Sequence, residues 1–114
     1  MADHFYHSES SKQLRKLRQL KPDLFGSFLD FDKKVFEAGA LDVKTKEIVA
    51  IATAHVTQCP FCIEAHTKRA KKAGASDAEI AEAIFVAMAL RAGGAFTHAA
   101  IAMGALEEEA KPTP

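Results

Sequence analysis

Apolar side chains recur along this chain at the three- and four-residue spacings that are typical of amphipathic helices. A first helix is predicted from Ser10 or Ser11 to Leu20, because Pro22 follows soon after and breaks it. A second is predicted from Pro22 to a C-cap at Gly39. Its broad apolar face consists of Leu24, Phe25, Phe28, Leu29, Phe31, Val35 and Phe36. So much aromatic surface predicts a core or a subunit contact.

The middle of the chain predicts two helices joined by a short corner. The third runs over residues 42–57 and the fourth over residues 60–72, with Thr57-Gln58 between them. Pro60 is favoured at the first helical position, which makes Cys59 the expected N-cap of the fourth helix. Gly74 ends that helix, and the basic run before it is expected to be a solvated face.

The last third of the chain predicts two more helices. Ser76 and Glu79 have the spacing of a capping box, which begins the fifth helix. Gly93-Gly94 is expected to interrupt it, so that a sixth begins near Ala95. No stretch alternates between apolar and polar residues as a strand does. We therefore predict an all-α fold of about six helices, with residues 1–114 as a single domain.

Composition excludes several partners. The chain has fifteen basic and fifteen acidic residues in 114, and this balance argues against nucleic acid or an anionic membrane as the main partner. No apolar run is expected to reach the roughly 20 residues of a membrane span. The N-terminal residues lack the charged-then-apolar pattern of a signal peptide. These features predict a cytoplasmic protein.

The candidate chemistry lies between Glu47 and His66. Both cysteines of the chain, Cys59 and Cys62, fall in this window with two residues between them. Thiols three positions apart at a helix start share one face and can close a disulfide. The positive end of the helix stabilises a thiolate there, which favours Cys59 as the nucleophile. His66 lies one turn beyond Cys62 on the same face.

Two other interpretations of these residues are less favoured. A thioredoxin-like site would need the cysteine pair after a strand, and no strand is predicted here. A zinc site could use Cys59, Cys62 and His66, with Glu47, His55 or His98 as a fourth ligand. Structural zinc ligands come mostly from loops, whereas these begin a helix, so the redox reading is favoured.

The four residues Glu47, Cys59, Cys62 and His66 match the pattern E-x11-C-x2-C-x3-H. Over residues 20–105 the chain resembles the alkylhydroperoxidase D-like (AhpD-like) core of the carboxymuconolactone decarboxylase family. The Cys-Pro-Phe-Cys segment, Ala-Gly-Ala-Ser and LRAGGAFTH add to the likeness. The resemblance implies an AhpD-like helical fold, a homo-oligomer that is a trimer or hexamer, and a dithiol that reduces hydroperoxides.

The resemblance also implies a role for each residue. Cys62 would be the peroxidatic thiol, and Cys59 the resolving thiol that meets an external dithiol reductant. Glu47 and His66 would form the proton relay that activates Cys62. No metal, flavin or haem is implied.

One position departs from the family pattern. Phe61 stands where a well-known member has a histidine beside its second cysteine. His55 or His98 could substitute, although a structural role or a subunit contact is the expectation for both. The alternatives are a decarboxylase acting on a muconolactone, which would not need the cysteine pair, and a non-enzymatic redox-sensing or zinc-binding oligomer.

Overall fold

The computed structural model describes residues 10–112, and over that range it contains five α-helices and no strand. The helices are α1 (Ser10–Leu20), α2 (Pro22–Val35), α3 (Val43–Thr57), α4 (Pro60–Lys72) and α5 (Asp77–Ala110). The prediction of an all-α fold is confirmed, with the fifth and sixth predicted helices joined into one. The described residues form two compact units, one ending at Glu47 and the other beginning at Ile48. That residues 1–114 act as one domain stays a prediction.

In the first unit, α1 and α2 meet through an arginine and an aromatic ring. The Arg18 guanidinium lies over the ring of Phe25, 5.1 Å from its centroid, where the negative face of the ring attracts it. The rings of Phe25 and Phe28 lie 5.9 Å apart in a tilted arrangement. Phe28 and Phe31 are exposed. The aromatic face of α2 is therefore not the core of this unit, and a subunit contact stays a prediction.

Helix α2 ends earlier than predicted. Its last residue is Val35, and Gly39 lies beyond it in the following turn. The Lys46 ammonium donates hydrogen bonds to the carbonyls of Val35, at 2.7 Å, and Glu37, at 2.5 Å. The last carbonyls of a helix have no partner within it, so a cation from a later segment can satisfy them. The predicted C-cap at Gly39 is therefore wrong, since the cap is Phe36, whose N–H donates to the Asp32 carbonyl.

The second unit has a small core built from three helices. Ile51 of α3, Ala70 of α4, Ala75 between α4 and α5, and Ile80 of α5 are buried together, and Ile48 and Ile84 pack against them. Helix α5 begins with the predicted capping box: the Ser76 hydroxyl accepts from the Glu79 N–H at 3.1 Å, and the Glu79 carboxylate accepts from the Ser76 N–H at 2.8 Å. Two of the four orphan donors of this helix end are thereby satisfied.

Gly93 and Gly94 do not interrupt α5, which continues for 34 residues. A glycine costs a helix only about 1 kcal/mol relative to alanine, and the alanines on both sides propagate the helix past it. The joined helix is the one among the described residues that is long and apolar enough to cross a membrane, judged by length and composition alone, so the prediction that no apolar stretch reaches that length is wrong. Since it also buries Ile80, Ala83 and Ala87, its first turns serve the core of the second unit.

Candidate functional site

The turn between α3 and α4 determines where Cys59 lies. Gln58 adopts a left-handed backbone conformation, with φ at 58°. This allows the Cys59 N–H to reach back to the Ala54 carbonyl at 3.1 Å, five residues earlier. The pattern is a Schellman motif, in which a left-handed residue follows the helix and the next N–H closes onto its last turn. The motif thus ends α3 at Thr57, and α4 begins at Pro60, three residues later.

Cys59 also serves as the N-cap of α4, as predicted. Its backbone is extended, Pro60 follows at the first helical position, and its sulfur accepts a hydrogen bond from the Cys62 N–H at 3.3 Å. The sulfur therefore lies among the unpaired N–H groups and at the positive end of the helix dipole. In the reduced protein, the same position would stabilise a thiolate.

Cys59 and Cys62 are joined by a disulfide, and their Cα atoms are 5.3 Å apart. That separation lies within the usual range for bridged cysteines, so the first turn of α4 brings the sulfurs together without displacing the backbone. Both cysteines are partly buried. The intramolecular pair predicted from the spacing is present in this structure in its oxidised form.

The proposed proton-relay residues lie on the two helices that flank the turn. His66 is on α4, one turn beyond Cys62, and is partly buried. Glu47 is on α3 and is only 3% exposed. A carboxyl group at this depth needs hydrogen-bond partners. Glu47 ends the first unit, whereas the cysteines and His66 belong to the second. A relay between them stays a prediction.

Two further histidines have fixed ring orientations. The Nδ1 atom of His55 is 2.8 Å from the Ile51 carbonyl, and that of His98 is 2.7 Å from the Gly94 carbonyl. Because a carbonyl can only accept, Nδ1 is the donor in each of these two hydrogen bonds. His55 is partly buried, whereas His98 is exposed. Participation of either in the dithiol chemistry stays a prediction.

One residue beside this turn was not predicted from the sequence. Arg91, on α5, donates from its guanidinium Nη1 to the Val56 carbonyl at 2.6 Å. The two residues are 35 positions apart, so no local spacing could have paired them. The left-handed conformation of Gln58 was missed as well, although Thr57-Gln58 was correctly predicted as the corner.

The basic part of α4 forms ion pairs on an exposed face, in keeping with the solvated face predicted for it. The Lys68 ammonium donates to Glu64 at 2.9 Å, and the Lys71 ammonium to Asp77 at 2.7 Å. Each hydrogen bond, helped by the lysine charge, lowers the pKa of the carboxyl group that accepts it. These pairs join α4 to itself and to the start of α5.

Comparison with known proteins gives a consistent result across sequence and structure. The sequence profile of the carboxymuconolactone decarboxylase family matches residues 22–105. Uncharacterized protein 4 in the cox locus of Paracoccus denitrificans is 52% identical over 82 residues, which are 72% of this chain and 74% of that protein. An uncharacterized protein of Haemophilus influenzae is 39% identical over 63 residues, 55% of this chain and 56% of its own.

Two solved structures extend the likeness to the fold. A carboxymuconolactone decarboxylase family protein from Legionella pneumophila is 36% identical, with a TM-score of 0.67 over 90% of this chain and 92% of its own. A Thermotoga maritima protein of the same family, for which a role in the antioxidative response has been suggested, is 38% identical. Its TM-score is 0.58 over 74% of this chain and 87% of its own.

Proposed function

Since the chain belongs to the carboxymuconolactone decarboxylase family, we propose that it is a thiol-dependent peroxidase or disulfide oxidoreductase. The observation that carries this proposal is the Cys59–Cys62 disulfide at the start of α4. A pair at a helix N-terminus can be held as a thiolate when reduced and closed as a disulfide when oxidised. The suggested antioxidative role of the Thermotoga maritima relative is of the same kind.

The proposed cycle starts with the reduced protein and a small hydroperoxide. The Cys62 thiolate attacks the distal peroxide oxygen, the O–O bond breaks, and the alcohol leaves with a proton. Cys62 is then a sulfenic acid. The Cys59 thiol attacks the Cys62 sulfur, water leaves, and the disulfide closes. An external dithiol reduces that disulfide by two exchange steps and leaves as a disulfide itself. The cycle needs no metal, flavin or haem.

The roles of the two cysteines follow from their neighbours in the proposed mechanism. His66, one helical turn beyond Cys62, would stabilise the Cys62 thiolate, and Glu47 would take the proton from the thiol. Cys59, at the N-cap itself, would be the thiol that the external reductant reaches. With Phe61 beside Cys62, the proton must move through Glu47 or His66 rather than through a histidine at that position.

The proposed setting is the cytoplasm, and the proposed assembly is a homo-oligomer, a trimer or a hexamer. An apolar stripe along α5 supports the assembly. It is formed by Phe85, Met88, Ala92, Phe96, Ala99, Met103 and Leu106. Their three- and four-residue steps keep them on one side of a helix, as in helices that pack against one another. All seven are exposed within the single chain.

Cysteine-to-serine variants test the proposal directly. Wild-type protein treated with peroxide should lose two hydrogens per chain by mass spectrometry and consume peroxide when a dithiol is supplied. Cys62→Ser should consume none. Cys59→Ser should accumulate one sulfenic acid that a dimedone-type probe traps, since no resolving thiol remains. Trapping in Cys62→Ser but not in Cys59→Ser would reverse the two roles.

The same assay separates the other function classes. Loss of two thiols without turnover would indicate a redox sensor, and resistance to oxidation with bound zinc would indicate a metal site. Turnover of a muconolactone by the double serine variant would indicate the decarboxylase branch of the family. Each of these results would contradict the proposed peroxidase or oxidoreductase.

A further inference from the structure

Arg91 connects α5 to the helix end that precedes the dithiol. Its guanidinium Nη1 donates to the Val56 carbonyl at 2.6 Å, within the second unit. Val56 lies in the last turn of α3, three residues before Cys59. Among the hydrogen bonds described for the α3–α4 turn, this is the one that a distant side chain supplies.

Electrostatics favours the hydrogen bond between Arg91 and the Val56 carbonyl. The last four carbonyls of a helix have no partner within the helix and carry its negative dipole end. A guanidinium that donates to one of them satisfies the acceptor and offsets that charge at once. Hydrogen bonds with a charged donor are roughly twice as strong as neutral ones. Arg91 therefore fixes the end of α3 to α5.

The position of Cys59 depends on that helix end. From Val56 the chain passes through Thr57 and the left-handed Gln58 to Cys59, whose N–H returns to Ala54 in the same last turn. The negative end of α3 therefore adjoins the positive start of α4, and the two have opposite effects on a thiolate at Cys59. A cation on the α3 carbonyls weakens the unfavourable effect.

We propose that Arg91 is a positioning residue for the dithiol. Through Val56 it holds the turn that presents Cys59, and its charge favours the reduced pair. The proposal rests on the proposed function only in that the Cys59–Cys62 pair must undergo reduction and oxidation. It concerns neither the peroxide nor the reductant.

The other ionisable residues close in sequence to Cys59 and Cys62 are the same in every variant. They are His55 on α3 and Glu64 and His66 on α4. Glu64 is exposed and paired with Lys68 at 2.9 Å, and His55 bonds to the Ile51 carbonyl at 2.8 Å. A difference between variants at Arg91 alone is therefore attributable to Arg91.

Three substitutions separate charge from hydrogen bonding. Arg91→Met removes both, Arg91→Gln removes the charge and leaves a shorter side chain with N–H donors, and Arg91→Lys keeps the charge. Lys72→Met is the matched control, because it removes one exposed cation from the last turn of α4 and leaves the end of α3 intact. Circular dichroism identifies any variant that fails to fold. If Arg91→Met fails to fold, Arg91→Gln carries the test.

Two measurements on the full-length chain follow the pair itself. The first is the rate of iodoacetamide alkylation at Cys59 in reduced protein against pH, localised by peptide mass spectrometry. The second is the equilibrium of the disulfide with two glutathione molecules, which yields the dithiol and one glutathione disulfide.

We expect Arg91→Met and Arg91→Gln to alkylate about two- to fivefold more slowly at neutral pH, the scale of a helix-end charge. Their pH profiles should move to higher pH, and the glutathione equilibrium should move toward the protein disulfide by a similar factor. Arg91→Lys should lie closer to wild type, and Lys72→Met should match it.

Equal profiles for Arg91→Gln, Lys72→Met and wild type would overturn the proposal. So would an Arg91→Lys variant no closer to wild type than Arg91→Met, since the charge would then have no part. Failure of the proposed function looks different: the wild-type disulfide would not be reduced and reformed at all, whatever stands at position 91.

Discussion

At the scale of single residues, Cys59 has two structural tasks besides its proposed chemistry. Its N–H closes the last turn of α3 onto Ala54 at 3.1 Å, and its sulfur caps the first turn of α4 by accepting from Cys62 at 3.3 Å. Few residues can serve both ends, because the first task needs the backbone and the second needs a side-chain acceptor. A serine keeps both contacts, which makes Cys59→Ser a variant that isolates the loss of the thiol.

Helices α3 and α4 are each followed by a left-handed residue, Gln58 and Gly74, and the next N–H bonds to a carbonyl five residues earlier. Exchanging glycine and a side chain should therefore change stability in opposite directions at the two positions. Gln58, at φ 58°, holds a side chain where glycine is preferred, and Gly74, at φ 98°, ends α4 in the favoured way. Gln58→Gly should stabilise the protein by about 0.5–1 kcal/mol, the relieved strain outweighing added freedom in the unfolded chain. Gly74→Ala should destabilise it by about 1–2 kcal/mol. Urea unfolding of the oxidised protein measures both.

A glycine inside a helix provides the control for these two substitutions. Gly26, in the middle of α2, has a helical environment with nothing near an added Cβ. Gly26→Ala should stabilise by up to about 1 kcal/mol through helix propensity alone. A destabilised Gln58→Gly variant would show that the side chain of Gln58 makes a contact worth more than its backbone strain.

Glu47 is the residue on which the proposed proton transfer depends most. Glu47→Gln keeps the shape of this buried side chain and removes its ability to take a proton. It should slow peroxide turnover by about tenfold or more, the scale of general acid–base catalysis, and shift alkylation of Cys62 to higher pH. Glu37→Gln, an exposed carboxylate of the same unit, serves as the control. Unchanged turnover and alkylation in Glu47→Gln would assign the residue a structural role.

At the scale of the element, side chains cap the starts of two helices, and distant cations reach the ends of two others. α4 and α5 begin at Cys59 and Ser76, whose side chains accept from the first turn. The Val35 carbonyl at the end of α2 accepts from Lys46, and the Val56 carbonyl near the end of α3 accepts from Arg91, in addition to the local motif that ends α3. Orphan N–H groups are capped by the residue that precedes them, whereas orphan carbonyls can be reached by any long cation.

The start of α5 gives the element-scale prediction. Ser76→Ala removes the acceptor of the Glu79 N–H and should cost about 1 kcal/mol of unfolding free energy. Ser27→Ala is the matched control: the Ser27 hydroxyl donates to the Asp23 carbonyl at 3.2 Å inside α2, an exposed bond whose loss should cost little. Thermal unfolding of the two variants compares them, and equal losses would mean that the capping box contributes nothing specific.

At the scale of the whole molecule, the chain leaves much apolar surface uncovered. The described core contains one fully buried large side chain, Ile51, while bulky residues on α2 and α5 remain exposed. A soluble chain of this size seldom leaves such surface in contact with water. The α5 stripe is part of that surface, which is why we propose a subunit contact there.

Substitution on the stripe tests the assembly. Phe96 lies on the stripe and is 78% exposed in the single chain. Burying a lysine there in a subunit contact would be costly, so Phe96→Lys should dissociate the oligomer. Ile101→Lys is the control: Ile101 is 71% exposed on the same helix but off the stripe. Light scattering at micromolar concentration gives the masses. A monomeric wild type, or equal dissociation by both variants, would contradict the prediction.

The sequence by itself determined the local features: the all-α class, the starts of α2, α4 and α5, the Thr57-Gln58 corner and the disulfide pair. Each depends on residues within about one helical turn of one another, so their spacing is sufficient to predict them. Even the proposed site was visible as four fixed positions, because three of them lie within eight residues at the start of one helix.

Tertiary structure alone decided where α2 ends, whether Gly93-Gly94 breaks α5, and which side chain secures the turn before Cys59. Lys46 reaches the end of α2 from 11 residues along the chain, and Arg91 reaches α3 from 35. Contacts at such separations depend on how helices pack, which no local spacing encodes. The predicted break at Gly93-Gly94 overestimated the effect of two glycines. Each costs the helix about 1 kcal/mol, which is less than a long helix gains from its other residues and its packing.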